Sequence, residues 1–248
     1  RELYEAGKEW GAEILIVDIL ERRIKFMKIQ ISDNLIKHYL QNVYFINGHS
    51  YAGKSTMVKM LAERYDMIAC GENYHDAFPR EKLSRWKQPG LCYFDTMSGW
   101  EEWLNMTPEE HYNWVYQVSQ ECIEVEILEL LKLAASGKKI IVDTNIPPEV
   151  LREISDYNHV AIMLCDPPDI CATKFFDRED PDKKFMMEQI KLCKDPEATL
   201  KNFNSWSLYH PPLETDWEHT GFFTYTRSDF ENDTREETLE ALAKHFGL

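Results

Sequence analysis

The sequence lacks the segments that would place a chain in a membrane or send it across one. No apolar run approaches the length needed to span a bilayer, and no secretory signal is visible. Positive charge is also scarce, with 28 lysine and arginine residues against 43 aspartate and glutamate residues, a net charge of −15. Nucleic acid and anionic lipid repel such a chain, so we expect a cytoplasmic protein for which neither is the main partner.

Paired cysteines are missing as well. The six cysteines include no C-x-x-C pair, several lie inside apolar runs, and the scattered histidines and cysteines show no ligand spacing for zinc. We therefore expect reduced thiols in a core rather than disulfides. The cysteines are Cys70, Cys92, Cys122, Cys165, Cys171 and Cys193.

What the sequence does contain is a phosphate-loop pattern at residues 48–55: a glycine, four residues, then Gly-Lys-Ser. Residues 43–46 form a β-branched and aromatic run that predicts a buried strand, and residues 55–65 have helical spacing. Strand, glycine loop and helix is the order that brings backbone amides and a helix N-terminus to a phosphate.

Each residue type in this loop has a physical role in phosphate binding. Gly48 and Gly53 let the backbone turn without a Cβ, so that successive N–H groups can converge on oxygen atoms. Lys54 would reach the β- and γ-phosphates, and the Ser55 hydroxyl would bind Mg²⁺. Thr56 either bonds an α-phosphate or caps the turn. The other cofactor-binding candidates in the loop, for which backbone amides matter more than side chains, are His49, Ser50, Tyr51 and Ala52.

Five apolar runs alternate with helical patterns, which predicts an α/β fold with a parallel sheet covered on both faces. The predicted strands are 43–46, 66–70, 139–145, 160–167 and 221–226. The clearest helix begins at a capping box, Thr107 to Glu110, and ends at Gly137. Further helices are predicted at 32–40, 55–65, 147–157, 169–176, 185–207 with a break near Asp195, and after Asp233.

Acidic residues follow the predicted strands at two points where a ligand would lie. Asp143 ends the third strand and is the expected second carboxylate of a Mg²⁺ site; the alternatives are a helix N-cap and a strand-end aspartate without a ligand. Glu72 follows the second strand and is the candidate general base. Asp76 is the competing base and His75 a weaker one, and a solvated loop carboxylate is the alternative to both.

Two arginines are candidates for contacts with the nucleotide. Arg178 lies in a polar stretch, 177–184, which we interpret as a lid over ATP in which the arginine neutralises transferring charge. Its acidic neighbours leave an ordinary charged helix junction as the alternative. Arg227 follows the fifth strand and either stacks on adenine or is simply exposed.

About 68 residues separate the second strand from the third, which is long for a connection. We expect this segment, about 71–137, to form an acceptor site. Its aromatic residues either line a pocket for a planar or apolar substrate or pack the segment onto the domain. They are Trp86, Tyr93, Phe94, Trp100 and Trp103.

With these motifs the chain resembles the P-loop small-molecule kinases, the nucleoside-monophosphate and shikimate kinase group. Its loop, residues 47–55, looks most like that of chloramphenicol phosphotransferase-like enzymes. The resemblance implies a three-layer α/β/α fold with strand order 2-3-1-4-5, a lid, and an acidic base just after the second strand, which is Glu72 here. The third strand ends Asp143-Thr144-Asn145 instead of Asp-Gly-x-Pro-Arg, and the lid has one arginine, so the substrate does not follow from the resemblance.

The expected function is an ATP- and Mg²⁺-dependent kinase that phosphorylates a hydroxyl of a small molecule. Lys54 and Arg178 would stabilise charge, while Ser55 and Asp143 hold the metal and Glu72 accepts the proton. The alternative is a nucleotide-binding ATPase or switch module that regulates a protein partner. An acid-lined, aromatic insertion favours the kinase. The sequence does not distinguish ATP from GTP or fix the oligomeric state.

Residues 31–248 are predicted to form one kinase-like domain. Residues 1–30 precede it as an appendage of unknown role, in which two apolar runs can pair as a hairpin. The chain begins with Arg1, and Met27 is a candidate start for the kinase-like domain.

Overall fold

The computed structural model describes residues 31–168, 170, 181–209 and 215–248. Several sequence predictions concern residues outside these ranges. They are the N-terminal hairpin within 1–30, the helix at 169–176 apart from Ile170, and the lid arginine Arg178 with its neighbours 177–180.

The described residues form an α/β fold with a five-stranded, all-parallel sheet in the order β2-β3-β1-β4-β5. The strands are β1 (Val43–Gly48), β2 (Ile68–Cys70), β3 (Ile140–Asp143), β4 (Val160–Cys165) and β5 (Phe223–Arg227). The predicted parallel sheet and its strand order are confirmed. Phe45 of β1 pairs with Val142 on one side and Val160 on the other, so β1 lies in the centre.

Eight α-helices are described. They are α1 (Asp33–Tyr39), α2 (Lys54–Tyr65), α3 (Trp100–Leu104), α4 (Pro108–Ala134), α5 (Pro148–Ile154), α6 (Pro181–Leu192), α7 (Pro196–Trp206) and α8 (Arg235–Phe246). Within the described ranges, none of these helices combines the length and the apolar character that crossing a membrane requires.

Successive residues of the central strand enter two different cores. Tyr44 and Ile46 pack in a cluster with α2 and α8, whereas Val43 and Phe45 pack in a second cluster with α4 and α5. Side chains alternate between the two faces of a strand, so an apolar run buries both faces only when helices cover both. The predicted covering of the sheet on both faces is confirmed.

Local signals in the sequence explain where several helices begin and end. The predicted capping box of α4 is present: the Thr107 hydroxyl accepts from the Glu110 N–H, and the Glu110 carboxylate accepts from the Thr107 N–H. The predicted break is also present, because α6 ends at Leu192 and the Asp195 side chain caps α7. However, residues 181–184, which belong to the polar stretch interpreted as a lid, form the first turn of α6.

The second strand is shorter than predicted. The sequence predicts that the strand begins at residue 66, but Asp66 has φ of 50° and ends α2 as a left-handed cap, with its N–H donating to the Ala62 carbonyl. The strand therefore begins only at Ile68.

The aromatic residues of the long β2–β3 segment mostly form a third core. Trp103 and Leu104 are buried against Phe203 and Trp206 of α7, and Tyr93, Phe94 and Trp100 pack around them. Most of these rings therefore pack the segment onto the domain and do not line a substrate pocket. Trp86 is different, since it is 95% exposed.

Candidate functional site

The glycine loop links the end of β1 to the start of α2 in a backbone that requires glycine at two positions. Gly48 has φ of +118°, and a Cβ there would lie 2.1 Å from the Met163 carbonyl oxygen of β4. Gly53 has φ of +96° and is the N-cap of α2. The first amides of α2 have no partner within the helix, so they are oriented towards whatever lies in front of the loop.

Side chains and amides at the start of the loop fix it to the rest of the sheet. The His49 N–H donates to the Met163 carbonyl at 2.9 Å, and the Cys165 N–H donates to His49 Nδ1 at 3.3 Å. Asn47 Nδ2 donates to the Ile146 carbonyl at 2.7 Å, while its Oδ1 accepts from the Gly48 N–H. The His49 side chain thus anchors the loop, a role that the motif did not indicate.

Lys54 is folded back over the loop. Its side chain is buried, and Nζ donates to the carbonyl oxygens of Gly48 and His49 at 3.1 Å each. The same nitrogen lies 3.9 Å from Asp143 Oδ1. Two neutral carbonyl groups of the loop therefore hold the cation in this structure.

Asp143 and Ser55 meet as the motif predicts. The Ser55 hydroxyl donates to Asp143 Oδ2 at 2.6 Å, and Asp143 itself is 1% exposed. Burial raises the pKa of Asp143, and the charges of Glu72 and Glu126 raise it further. The charge of Lys54 and the hydrogen bond from Ser55 offset part of this increase. Asp143 does not cap a helix, because the N-cap of α5 is Pro147 without a side-chain cap bond.

The second oxygen of Asp143 faces the Lys54 ammonium at 3.9 Å but accepts no hydrogen bond from the described residues. Oδ1 is buried and, within the described part of the chain, has no hydrogen bond. A buried carboxylate oxygen of this kind is costly unless something else satisfies it. A hydrated cation next to Ser55 would do so.

The three candidate bases differ in exposure. Glu72 and Asp76 are exposed in the turn after β2. The negative charge of Glu72 raises the pKa of Asp143. His75 instead lies against Cys122 and Glu126, whose side chains raise its pKa to about 10. His75 is therefore protonated at neutral pH and does not fit the role of a base.

A cavity of about 370 Å³ opens on the other side of the loop, between α2 and the segment after β5. Thr56, Arg227 and Asn232 are among its lining residues. The Arg227 guanidinium lies 4.6 Å from the centre of the Phe230 ring, and Nη1 donates to the Tyr51 carbonyl at 3.5 Å. Arg227 is therefore held at the edge of this cavity and is not an exposed side chain.

No protein-family model and no curated protein matches this chain. The site combines a glycine loop, a buried lysine, and a serine–aspartate pair at the carboxyl edge of a parallel sheet.

Glu126 on α4 is a buried polar residue that the sequence analysis did not single out. It is 1% exposed, and its Oε2 accepts from the hydroxyls of Tyr74 at 3.1 Å and Thr144 at 3.2 Å. Thr144 follows Asp143, so this network touches the candidate site. The available signal was a glutamate within the apolar stripe of an amphipathic helix, four residues from both Cys122 and Leu130.

Proposed function

We propose that the protein is an ATP- and Mg²⁺-dependent phosphotransferase of the P-loop kinase type, with a three-layer fold, acting on a hydroxyl of a small molecule. The observation that carries the proposal is the convergence of Lys54, Ser55 and Asp143 at the carboxyl ends of β1 and β3. Ligands of open α/β sheets bind at this edge. Two of the three residues are buried, so their charges act in a medium of low dielectric.

The residues present fit a magnesium nucleotide. The amides at the start of α2 and the Lys54 ammonium supply positive potential for phosphate oxygens. Mg²⁺ would be held by the Ser55 hydroxyl and, through water, by Asp143 Oδ1, which accepts no hydrogen bond in the described part of the chain. When bound, the ion supplies charge neutralisation for the transferred phosphoryl group.

The β2–β3 segment supplies the features of an acceptor site. Glu72 is an exposed carboxylate whose field reaches Asp143, so it suits the removal of a proton from an incoming hydroxyl. A cavity of about 340 Å³ lies beside the same turn. Asp76 and Arg80 give it polar groups of both signs, and Phe78 and Leu83 give it apolar walls. An ATPase switch has no need of such a cavity. The lid role of Arg178 stays a prediction.

The test is phosphate transfer from Mg·ATP by the full chain to a panel of hydroxyl acceptors, followed by mass spectrometry of the products. Nucleosides, nucleotides, sugars, shikimate-like acids, and aminoglycoside and phenicol antibiotics form the panel. We expect transfer to one class, reduced about 100- to 1,000-fold in Lys54→Ala. Glu72→Gln should reduce transfer by about 100-fold or more while ATP still binds.

Lys59→Ala and Glu63→Gln are matched controls, because both residues are exposed on α2 away from the loop. They should leave transfer unchanged. Tight ATP binding with slow hydrolysis and no acceptor would replace the phosphotransferase with the ATPase or switch alternative. No ATP binding at all would overturn both.

A further inference from the structure

Three side chains with metal-binding atoms meet next to the candidate site. His75 comes from the turn after β2, and Cys122 and Glu126 lie one turn apart on the same face of α4. One ligand atom from each lies within 4.8 Å of the others. Both Cys122 and Glu126 are buried, and His75 is half-buried. Residues from two separate segments are thus brought to one point inside the protein.

His75 and Glu126 lie within ion-pair distance in this cluster, but their facing atoms are not aligned for a hydrogen bond. His75 Nδ1 and Glu126 Oε1 lie 3.3 Å apart. Both atoms are buried, yet neither has a hydrogen-bond partner in the described part of the chain. In a tetrahedral zinc site with Zn–N and Zn–O bonds of about 2.0–2.2 Å, a nitrogen and an oxygen ligand lie about 3.4 Å apart. The spacing and the missing hydrogen bonds both fit a cation shared by the two atoms.

The atoms around the cluster orient its ligands. The second oxygen of Glu126 is held by the hydroxyls of Tyr74 and Thr144, which leaves Oε1 directed towards His75. His75 Nε2 lies 3.9 Å from the Asp76 carboxylate, which favours a proton on that nitrogen and leaves Nδ1 as the ligand. Metal-binding histidines and carboxylates are commonly supported by partners of this kind.

We infer that His75, Cys122 and Glu126 bind a zinc ion. A thiolate, an imidazole and a carboxylate form a ligand set that suits Zn²⁺, whereas Mg²⁺ and Ca²⁺ prefer oxygen ligands alone. His75 also lines the cavity of about 340 Å³, from which water can supply a fourth ligand. The ion takes the place of the protons that these side chains otherwise hold.

Glu72 lies in the same turn as His75. A zinc ion in this cluster would link that turn to α4. Through Thr144, the same network is joined to Asp143 and so to the candidate Mg²⁺ site. The inference does not depend on the phosphotransferase proposal, because it concerns different ligands and a different metal.

The test is the metal content of the untagged full chain after dialysis against metal-free buffer, measured by inductively coupled plasma mass spectrometry. We expect about one zinc per chain, as for a structural site. Replacement of zinc by Co²⁺ should give the visible absorption of a tetrahedral cobalt site together with a thiolate charge-transfer band. Both signals should be lost in Cys122→Ser, and zinc should be lost in Glu126→Gln.

Two controls separate this site from other parts of the chain. Cys193→Ser removes another buried thiol, in the aromatic core, and should keep the zinc. Lys54→Ala should also keep it, whatever happens to nucleotide binding.

A wild-type chain that takes up neither zinc nor cobalt would overturn the inference and leave a buried pair of His75 and Glu126. Equal zinc in the wild type and in Cys122→Ser would overturn it too, because the metal would then lie elsewhere. If Cys122→Ser fails to fold, Glu126→Gln decides instead: a folded Glu126→Gln variant that keeps the zinc and the thiolate band would overturn the inference, because another cysteine would then bind the metal.

Discussion

The carbonyl oxygen of Met163 lies where a side chain at position 48 would begin. A Cβ built on Gly48 comes 2.1 Å from that oxygen and 2.8 Å from the Met163 nitrogen, both backbone atoms of β4. Backbone atoms in the middle of a sheet cannot move aside as a flexible side chain can. The first glycine of the motif is therefore required for strand packing.

We predict that Gly48→Ala destabilises the protein by more than about 3 kcal/mol, because it combines a steric overlap with an unfavourable backbone conformation. Gly137→Ala is the matched control: φ is +72° there, but no atom lies within 4 Å of the added carbon. That change should cost only about 1–2 kcal/mol. Urea unfolding of both variants measures the difference, and equal losses would contradict the explanation.

Single residues could be predicted where a short motif fixes their position. Ser55, Lys54 and Asp143 converge as expected because the loop pattern and a strand-end aspartate place them at one edge of a parallel sheet. Glu126 and His75 could not be paired in advance, since they lie in segments whose relative position depends on tertiary packing. The anchoring role of His49 was missed for the same reason: its partner is on β4.

Helices α4 and α7 are joined by an aromatic contact with a titratable member. The His111 ring stacks on Trp206 with centroids 3.8 Å apart, and Trp103 and Trp114 lie against the same ring. Burial lowers the pKa of His111 to about 4. The contact therefore contains a histidine that is neutral at physiological pH.

We predict that this contact weakens in acid. An unfolded histidine takes up a proton near pH 6.5, whereas folded His111 does so only near pH 4. The contribution of neutral His111 to the free energy of unfolding is thus complete above about pH 6.5. It is lost as the pH falls towards 4, because the unfolded state binds the proton first. His111→Phe should flatten the fall of the urea midpoint over this range. His38→Gln, on the exposed surface of α1, should leave the slope unchanged; an unchanged slope in His111→Phe would contradict the assignment.

Strands and long helices could be predicted because hydrophobic period and caps define them locally. The apolar run 160–165 is wholly buried in β4, and the capping box marks the start of α4. The region between β2 and α3 contains short 3₁₀ helices at 74–77, 80–82 and 93–95, which have no periodic signal. The early start of α6 was also hidden, since residues 181–184 are all polar or proline and resemble a loop.

The candidate nucleotide site joins β1, β3 and α2, so a bound nucleotide should stabilise the molecule as a whole. At a concentration of one hundred times its Kd, a ligand adds about 2.7 kcal/mol to the free energy of unfolding. For a chain of this size, that corresponds to a rise in Tm of roughly 5–10 °C. We predict such a rise with Mg·ATP, measured by scanning fluorimetry.

The rise should be smaller with ATP and EDTA, because the phosphate charge is then not neutralised, and smaller again in Lys54→Ala. Lys59→Ala should respond as the wild type does. An equal rise in Lys54→Ala would show that the nucleotide binds elsewhere.

The central position of β1 has a consequence for how the protein is made. Both of its neighbours in the sheet, β3 and β4, are distant in the chain, and Ile140 follows Gly48 by about 90 residues. At a synthesis rate of about 5–20 residues per second, the ribosome needs roughly 5–18 s to make that stretch. During this interval the apolar residues of β1 have left the exit tunnel without a strand to pair with. Unpaired apolar strands are prone to aggregate, so a chaperone that binds short apolar segments would act at this stage.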